Sequence, residues 1–428
     1  MIEIIKEKKE IEDFFSVLAK RGNVNSGDFS NIVKEIVENV RVNKDKAIEL
    51  YTKKFDDANF TISDMLVSKD EQKKAFDSLD ENLKNVLLRA KERIYSYHMH
   101  QLRKTWMYED ELGATLGQKI TPLARVGVYV PGGKAVYPSS VLMNVLPAKV
   151  AGCKSITMVT PAVGGKLNNL VLAAAYVCEV DYVYKIGGAQ AIAALAYGTE
   201  TIEKVDKIVG PGNIFVALAK REVYGLVGID SIAGPSEICI IGDNTSNAKF
   251  IAADLLGQAE HDEIASSTLF ITDYNKALEV KKELNNYYKD SPRKNILEKS
   301  LKNCSKIIVV ENIEEAIQYT NRLAPEHLEI AIDNAMDYVD KIDNAGAIFI
   351  GHYSPESLGD YMAGPNHVLP TVGTARFFSP LGVDDFIKKS SLISFTKEAC
   401  LNLVDDVMVF ADTEGLGMHA LSAKVRKE

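Results

Sequence analysis

The sequence has little cysteine and no pattern in what it has. Cys153, Cys178, Cys239, Cys304 and Cys400 are odd in number, widely spaced and mostly set in apolar runs. That excludes a disulfide framework or a thiolate zinc clip and leaves reduced, structural thiols. Nowhere do roughly eighteen apolar residues run uninterrupted, the length a membrane helix needs, and the opening MIEIIKEKKEIEDFF lacks the apolar core of a signal peptide. A cytoplasmic protein is the expectation. Positive charge is not in excess either: 50 Lys and Arg face 59 Asp and Glu, a formal net charge of -9, which disfavours nonspecific tracking of nucleic-acid phosphates. The GxGxxG fingerprint of dinucleotide-binding turns is missing, and so are internal repeats and low-complexity linkers.

What is present is the balance of a globular protein with a buried core, 46% hydrophobic and 25% charged over 428 residues, long enough for two large domains with appendages. The first 110 residues read as helices, a short one at the start and then stretches near 28–54 and 69–103, with apolar residues three and four apart. His98 and His100 point about 200° apart on such a helix and cannot chelate one ion together; both read as partly exposed. From Arg125 the pattern changes to β-branched runs, each followed by a Gly-rich turn and a helical segment: RVGVYV through PGG, ITMVT, YVYKI through GGAQ, and KIVGPGN. This is the signature of a parallel α/β sheet. Its turns suit an anionic ligand such as a nucleotide, although glycine there also has a purely conformational use. A second α/β set runs from SEICIIGD through STLFITD, KIIVV and LEIAI to AGAIFIG.

The expected fold class is therefore α/β, with two Rossmann-like parallel-sheet domains that lack GxGxxG and small N-terminal helical and C-terminal extensions. The expected division is an N-terminal extension over 1–25, a discontinuous domain of 26–126 plus 236–380, an inserted domain over 127–235, and a tail over 381–428 with little strand character. The helical segment before residue 110 is expected to pack on the discontinuous half.

Four of the seven histidines stand in short polar stretches: QAEHD, APEHLE, GPNHVLP and EGLGMHA. Gln258 and His261, three residues apart at the end of an apolar helical stretch, share one helix face and can converge on one ion, with Asp360 and His419 able to complete the shell. Two imidazoles, a carboxylate and an amide form a mixed N/O set that suits zinc or a similar divalent ion better than magnesium or calcium. Glu326 and His327 follow Pro325 where a helix should lead into a strand, a place from which side chains reach a cleft and act as bases.

Eight segments in one order resemble those of the histidinol dehydrogenases, over roughly residues 115–420: RVGVYVPGG with YPSSVLMN, GGAQAIAALAYGT, VGPGN, AGPSE, QAEHD, RLAPEHLE, GDYMAGPNHVLPT and EGLGMHA. The resemblance implies a cytoplasmic, zinc-dependent, NAD-linked homodimer that oxidises L-histidinol through the aldehyde to L-histidine, with sites shared between subunits. By matching motif it implies Gln258, His261, Asp360 and His419 as zinc ligands, with His419 from the partner subunit, and Glu326 and His327 as the catalytic pair. It implies Ser236, Glu414 and His367 as substrate contacts beside Gln258, His261, His327, Asp360 and His419, and Tyr129, Gln190 and Asn213 as NAD contacts. Histidinol's imidazole and amine are good nitrogen ligands for an open zinc site. His327 would take the hydroxyl proton, and Glu326 would activate the water that adds to the aldehyde.

Three other readings compete. A cysteine could carry the aldehyde as a thiohemiacetal, but neither Cys153 nor Cys239 has an activating partner in its local sequence. A metallohydrolase could use the same shell to activate water, which leaves the Gly-rich insertion without a use. A catalytically silent nucleotide-binding scaffold leaves Glu326 and His327 without one.

Overall fold

Two parallel sheets and one small antiparallel sheet organise the chain, in a computed structural model that describes residues 2–21, 26–132, 137–289 and 291–428. The last glycine of the PGG turn lies outside the described residues. The first sheet has the order Glu3–Ile5, Lys306–Val309, Ser266–Ile271, Glu237–Gly242, His327–Ile330, Ala347–Ile350, with every neighbouring pair parallel. Its central strands EICIIG and SSTLFI are buried at every residue, as a sheet covered on both faces requires. The second sheet has the order Leu66–Val67, Tyr182–Tyr184, Ser155–Val159, Arg125–Tyr129, Lys207–Val209, Gly228–Ile229, parallel except for its first pair. The fold class is thus α/β with two Rossmann-like sheets. Among the described residues no helix is long and apolar enough to cross a membrane.

Several local expectations need correction. Helices Ser26–Phe55, Lys69–Asp77 and Glu81–Met99 pack against the second sheet's layer and not the first. Val33, Val37, Val40 and Ile48 share a core with Ile192 and Leu195, while Leu87, Ala90 and Ile94 share one with Val141, Leu142 and Leu172. For the helix Ser26–Phe55 the cause is the helix Gly188–Tyr197, GAQAIAALAY, whose alanines let it approach closely. The stretch read as 69–103 is two helices, separated where Asp80 accepts a hydrogen bond from Leu83 N–H and caps the second. His98 is fully buried, with Nδ1 2.8 Å from Gln101 Oε1, because it faces the core side of its helix.

The chain starts with a strand, Glu3–Ile5, that extends the first sheet before helix Lys8–Arg21 packs Ile11, Phe14 and Leu18 onto it. The tail contains an eight-residue strand, Ile387–Ser394, paired antiparallel along its whole length with Thr115–Pro122, which pairs in turn with Trp106–Glu109. Its sequence IKKSSLIS shows little apolar alternation because most of its side chains are exposed, so backbone pairing forms the strand where side-chain pattern does not.

At the carboxyl edge of the second sheet, Gly210 has φ +113 and a side chain there would meet the Tyr129 carbonyl, so only glycine fits. The buried pair Lys220 and Asp230 ties this turn down: Lys220 Nζ donates to the Gly210 carbonyl at 3.1 Å and Asp230 Oδ2 accepts from Gly210 N–H at 2.7 Å.

Candidate active site

The chemistry-bearing side chains gather at the amino edge of the first sheet. Glu237 and His327 begin adjacent parallel strands, with Ile238 opposite His327 in register. Helix Ala248–Ala259 follows the Glu237 strand and returns to the same edge, delivering Gln258 and then His261. Helix Glu356–Tyr361 does the same after strand Ala347–Ile350 and delivers Asp360. The partial negative charge of helix carboxyl termini favours a cation here.

One ligand atom each from His261, Glu356 and Asp360 lie within 4.8 Å of one another, close enough to share one metal ion. Gln258 is fully buried beside them. With its amide turned so that the nitrogen donates to Glu356 Oε2 at 3.1 Å, its oxygen lies 2.7 Å from the Glu237 nitrogen. A shell of imidazole and carboxylates fits a zinc-like ion, and the opposite amide orientation would turn the Gln258 oxygen towards Glu356 and that ion.

Glu326 and His327 are both held by the main chain of Glu237. Glu326 Oε2 accepts from the Glu237 N–H at 2.9 Å, and His327 Nδ1 donates to the Glu237 carbonyl at 3.1 Å. That bond places the imidazole lone pair on Nε2, which is buried, has no hydrogen-bond partner among the described residues and lies 4.0 Å from Asp360 Oδ1. His367 is oriented likewise, its Nδ1 donating to the Asp360 carbonyl at 3.1 Å. Adjacent residues commonly diverge, yet Glu326 Oε2 stays 3.7 Å from His327 Nδ1 because the two bond to the main-chain N–H and carbonyl of one residue, Glu237.

Burial sets the electrostatics. It pushes the His327 imidazole down to about 3 and that of His367 to about 4, so both are neutral bases or ligands near neutrality. It pushes Asp360 up to about 6 and lifts Glu326 and Glu356 well above the usual carboxylate range. The hydrogen bond from Glu237 pulls Glu326 the other way, while nearby carboxylates raise Glu356 further. A cluster of this kind is costly when charged and uncompensated, and a divalent cation relieves it.

His327, Asp360 and His367 line a cleft of about 970 Å³ that extends to Gln101, Arg103 and Asn366. Ser236 stands half-buried just before Glu237, its carbonyl accepting from Ser266 N–H. His419 and Glu414 are not brought to this cluster. Both are exposed on the C-terminal helices Lys397–Thr413 and Gly417–Lys424 and the turn between them, which also expose Val409 (68%), Phe410 (73%) and Met418 (74%).

The residues implied as dinucleotide contacts lie at the carboxyl edge of the second sheet. Tyr129 is buried with its hydroxyl accepting from Gly188 N–H at 3.2 Å, and burial pushes its pKa to about 12. Gln190 is buried in the first turn of helix Gly188–Tyr197, and Asn213 is exposed and caps helix Ile214–Val223 through Phe215 and Val216 N–H. The amino termini of these two helices suit an anionic ligand. The thiol route finds no support: burial pushes Cys239 to about 12 and Cys153 to about 11, and neither lines the cleft.

Glu237 and Glu356 escaped the sequence reading. Glu356 precedes Asp360 by four residues, a one-face helical spacing that could have found it. Glu237 offered only the sign of a carboxylate opening an otherwise apolar strand.

Comparison with known proteins bears on this geometry. Residues 19–427 match the family model described as histidinol dehydrogenase. A histidinol dehydrogenase of Bacillus cereus is 51% identical over 425 residues, covering 99% of each chain. One from Clostridium acetobutylicum is 51% identical over 416 residues, covering 97% of this chain and 96% of its own. The crystal structure of histidinol dehydrogenase from Elizabethkingia anophelis superposes with a TM-score of 0.93 at 39% identity, covering 99% of this chain and 98% of that one. An acetylating aldehyde dehydrogenase from Geobacillus thermoglucosidasius, at 12% identity and a TM-score of 0.53 over 91% of this chain and 96% of its own, shares the fold alone.

Glu356 provides a test of the metal-site electrostatics. Its folded-state pKa is raised, so its burial destabilises the metal-free protein increasingly as pH rises from the unfolded value towards the folded one, and not below the unfolded value. Glu356→Gln is expected to raise the melting temperature of metal-free protein at pH 8 by roughly 2 °C or more, to change it little at pH 4, and to weaken zinc binding. Calorimetric scans at the two pH values and zinc titration check this; lower stability at pH 8 would contradict it.

Proposed function

The chain belongs to the histidinol dehydrogenase family, and from that premise we propose a zinc-dependent, NAD-linked oxidation of L-histidinol through L-histidinaldehyde to L-histidine at one site. The observation that carries the reading is His327 Nε2, a buried lone pair without a partner among the described residues, beside the His261, Glu356 and Asp360 cluster. Gln258, His261 and Asp360 would hold the zinc, with His419 of the partner subunit as the fourth ligand. Zinc, when bound, supplies coordination for the imidazole and amine nitrogens of the substrate and so fixes its alcohol carbon in the cleft. NAD supplies the two-electron acceptor for each oxidation, and its phosphates suit the helix amino termini beside Gly188 and Asn213, with Tyr129 and Gln190 shaping that edge.

The chain's own residues then divide the proton work. His327 Nε2 takes the hydroxyl proton in the alcohol step, and the positive charge that forms is shared through Nδ1–H with the Glu237 carbonyl. Aldehyde oxidation needs water added first: Glu326, fixed by Glu237 N–H, takes the proton from that water while protonated His327 returns its proton to the aldehyde oxygen, which leaves the hydrate and a neutral His327. The hydrate hydroxyl gives its proton to His327 in the second oxidation. Ser236, His367 and the partner's Glu414 would contact the substrate and set its orientation.

The shared site calls for a homodimer, and membership of a biosynthetic enzyme family favours the cytoplasm for it. Exposed Val409, Phe410 and Met418 beside His419 support the dimer, since apolar side chains this exposed gain by burial in a second copy.

Replacing His327 by Asn is expected to slow both oxidations by about 10²- to 10⁴-fold, and replacing Glu326 by Gln to slow mainly the aldehyde half. Rates measured separately from histidinol and from histidinaldehyde check this, and equal losses in both halves from Glu326→Gln would remove the water-activating role. Mixing inactive His419→Asn with inactive His261→Asn protomers is expected to restore activity in heterodimers. No recovery in verified heterodimers would place both ligands of a site in one chain.

A further inference from the structure

The N-terminal helix Lys8–Arg21 has no part in the chemistry above, yet its last residue reaches the core of the site. Arg21 Nη2 donates to Glu237 Oε2 at 2.6 Å, with the two side chains only 3% and 4% exposed. The other carboxylate oxygen of Glu237 accepts from Val372 N–H at 2.7 Å. Val372 has φ +52, a conformation that a β-branched residue adopts only when its surroundings impose it. The same Glu237 presents its N–H to Glu326 and its carbonyl to His327.

We propose that Arg21 is a positioning residue for the reaction: by fixing the Glu237 carboxylate against the turn at Val372, it holds the Glu237 peptide groups where they orient Glu326 and His327. Arg21 touches none of the reacting groups and acts only through Glu237. Its planar guanidinium fixes direction as well as charge, which a lysine ammonium does less well. The inference rests on the functional reading above and gives the N-terminal segment a share in it.

The test uses two variants of the full chain, Arg21→Lys and the double variant Arg21→Met with Glu237→Gln. The double variant leaves no unpaired buried charge, an exchange that commonly preserves folding. For a positioning role its melting temperature, zinc content and histidinol KM stay close to those of the parent, while kcat falls at least about tenfold; Arg21→Lys falls less. A purely structural ion pair predicts otherwise, with kcat recovering whenever the fold does. A folded double variant with parental kcat would overturn the positioning role alone, the parent remaining active. A parent that forms no NADH from histidinol would overturn the functional reading and this inference with it.

Discussion

The Glu237 peptide and carboxylate join segments that are far apart in the chain. Arg21 lies 216 residues before it, Glu326 and His327 lie 89 and 90 after it, and Val372 lies 135 after it. Each meets a different atom of the same residue. A charged pair buried this deeply gains little net stability, because desolvation offsets the attraction. What it gives is direction: the first residue of a central strand cannot rotate, and the groups hydrogen-bonded to its backbone inherit that rigidity. The tautomer of His327, and with it the free lone pair on Nε2, follows from this one carbonyl.

The second constraint is electrostatic. Open α/β sheets commonly bind ligands at the carboxyl ends of their strands, and the second sheet has its glycine-rich turns there. The first sheet instead gathers its carboxylates and imidazoles at the amino edge, where the following helices end. Helix carboxyl termini, Gln258 and the acids Glu356 and Asp360 make that edge a place for a cation, while burial holds His327 and His367 neutral. One edge thus gathers groups that suit a cation, the other helix amino termini that suit an anion.

Much of this was legible in the sequence. The strands and helices from Arg125 to Gly351 show as β-branched runs and glycine turns because buried parallel strands must be apolar throughout. The QAEHD and GDYM segments stand out because polar side chains in short motifs at helix ends have few other uses, and the fold brings His261 and Asp360 together. What sequence hid was whatever depends on tertiary partners. Helices before residue 100 have apolar stripes that would fit either sheet, and only the helices they meet decide between them: Gly188–Tyr197 for Ser26–Phe55, Asn169–Val177 for Lys69–Asp77 and Pro138–Ala151 for Glu81–Met99. Strand Ile387–Ser394 is set by backbone pairing with Thr115–Pro122, so its side chains say little. Arg21 and Glu237 look like ordinary surface charges until the fold buries them against each other, and His419 stands apart from the cluster within a single chain.

The most direct test of a single site performing both oxidations is to count NADH formed per L-histidinol consumed, with zinc-loaded protein, limiting histidinol and excess NAD. Two NADH per histidinol is the predicted result. One would mean that the aldehyde leaves before His327 and Glu326 act on it again, contradicting the account, and none would contradict the dehydrogenase reading itself.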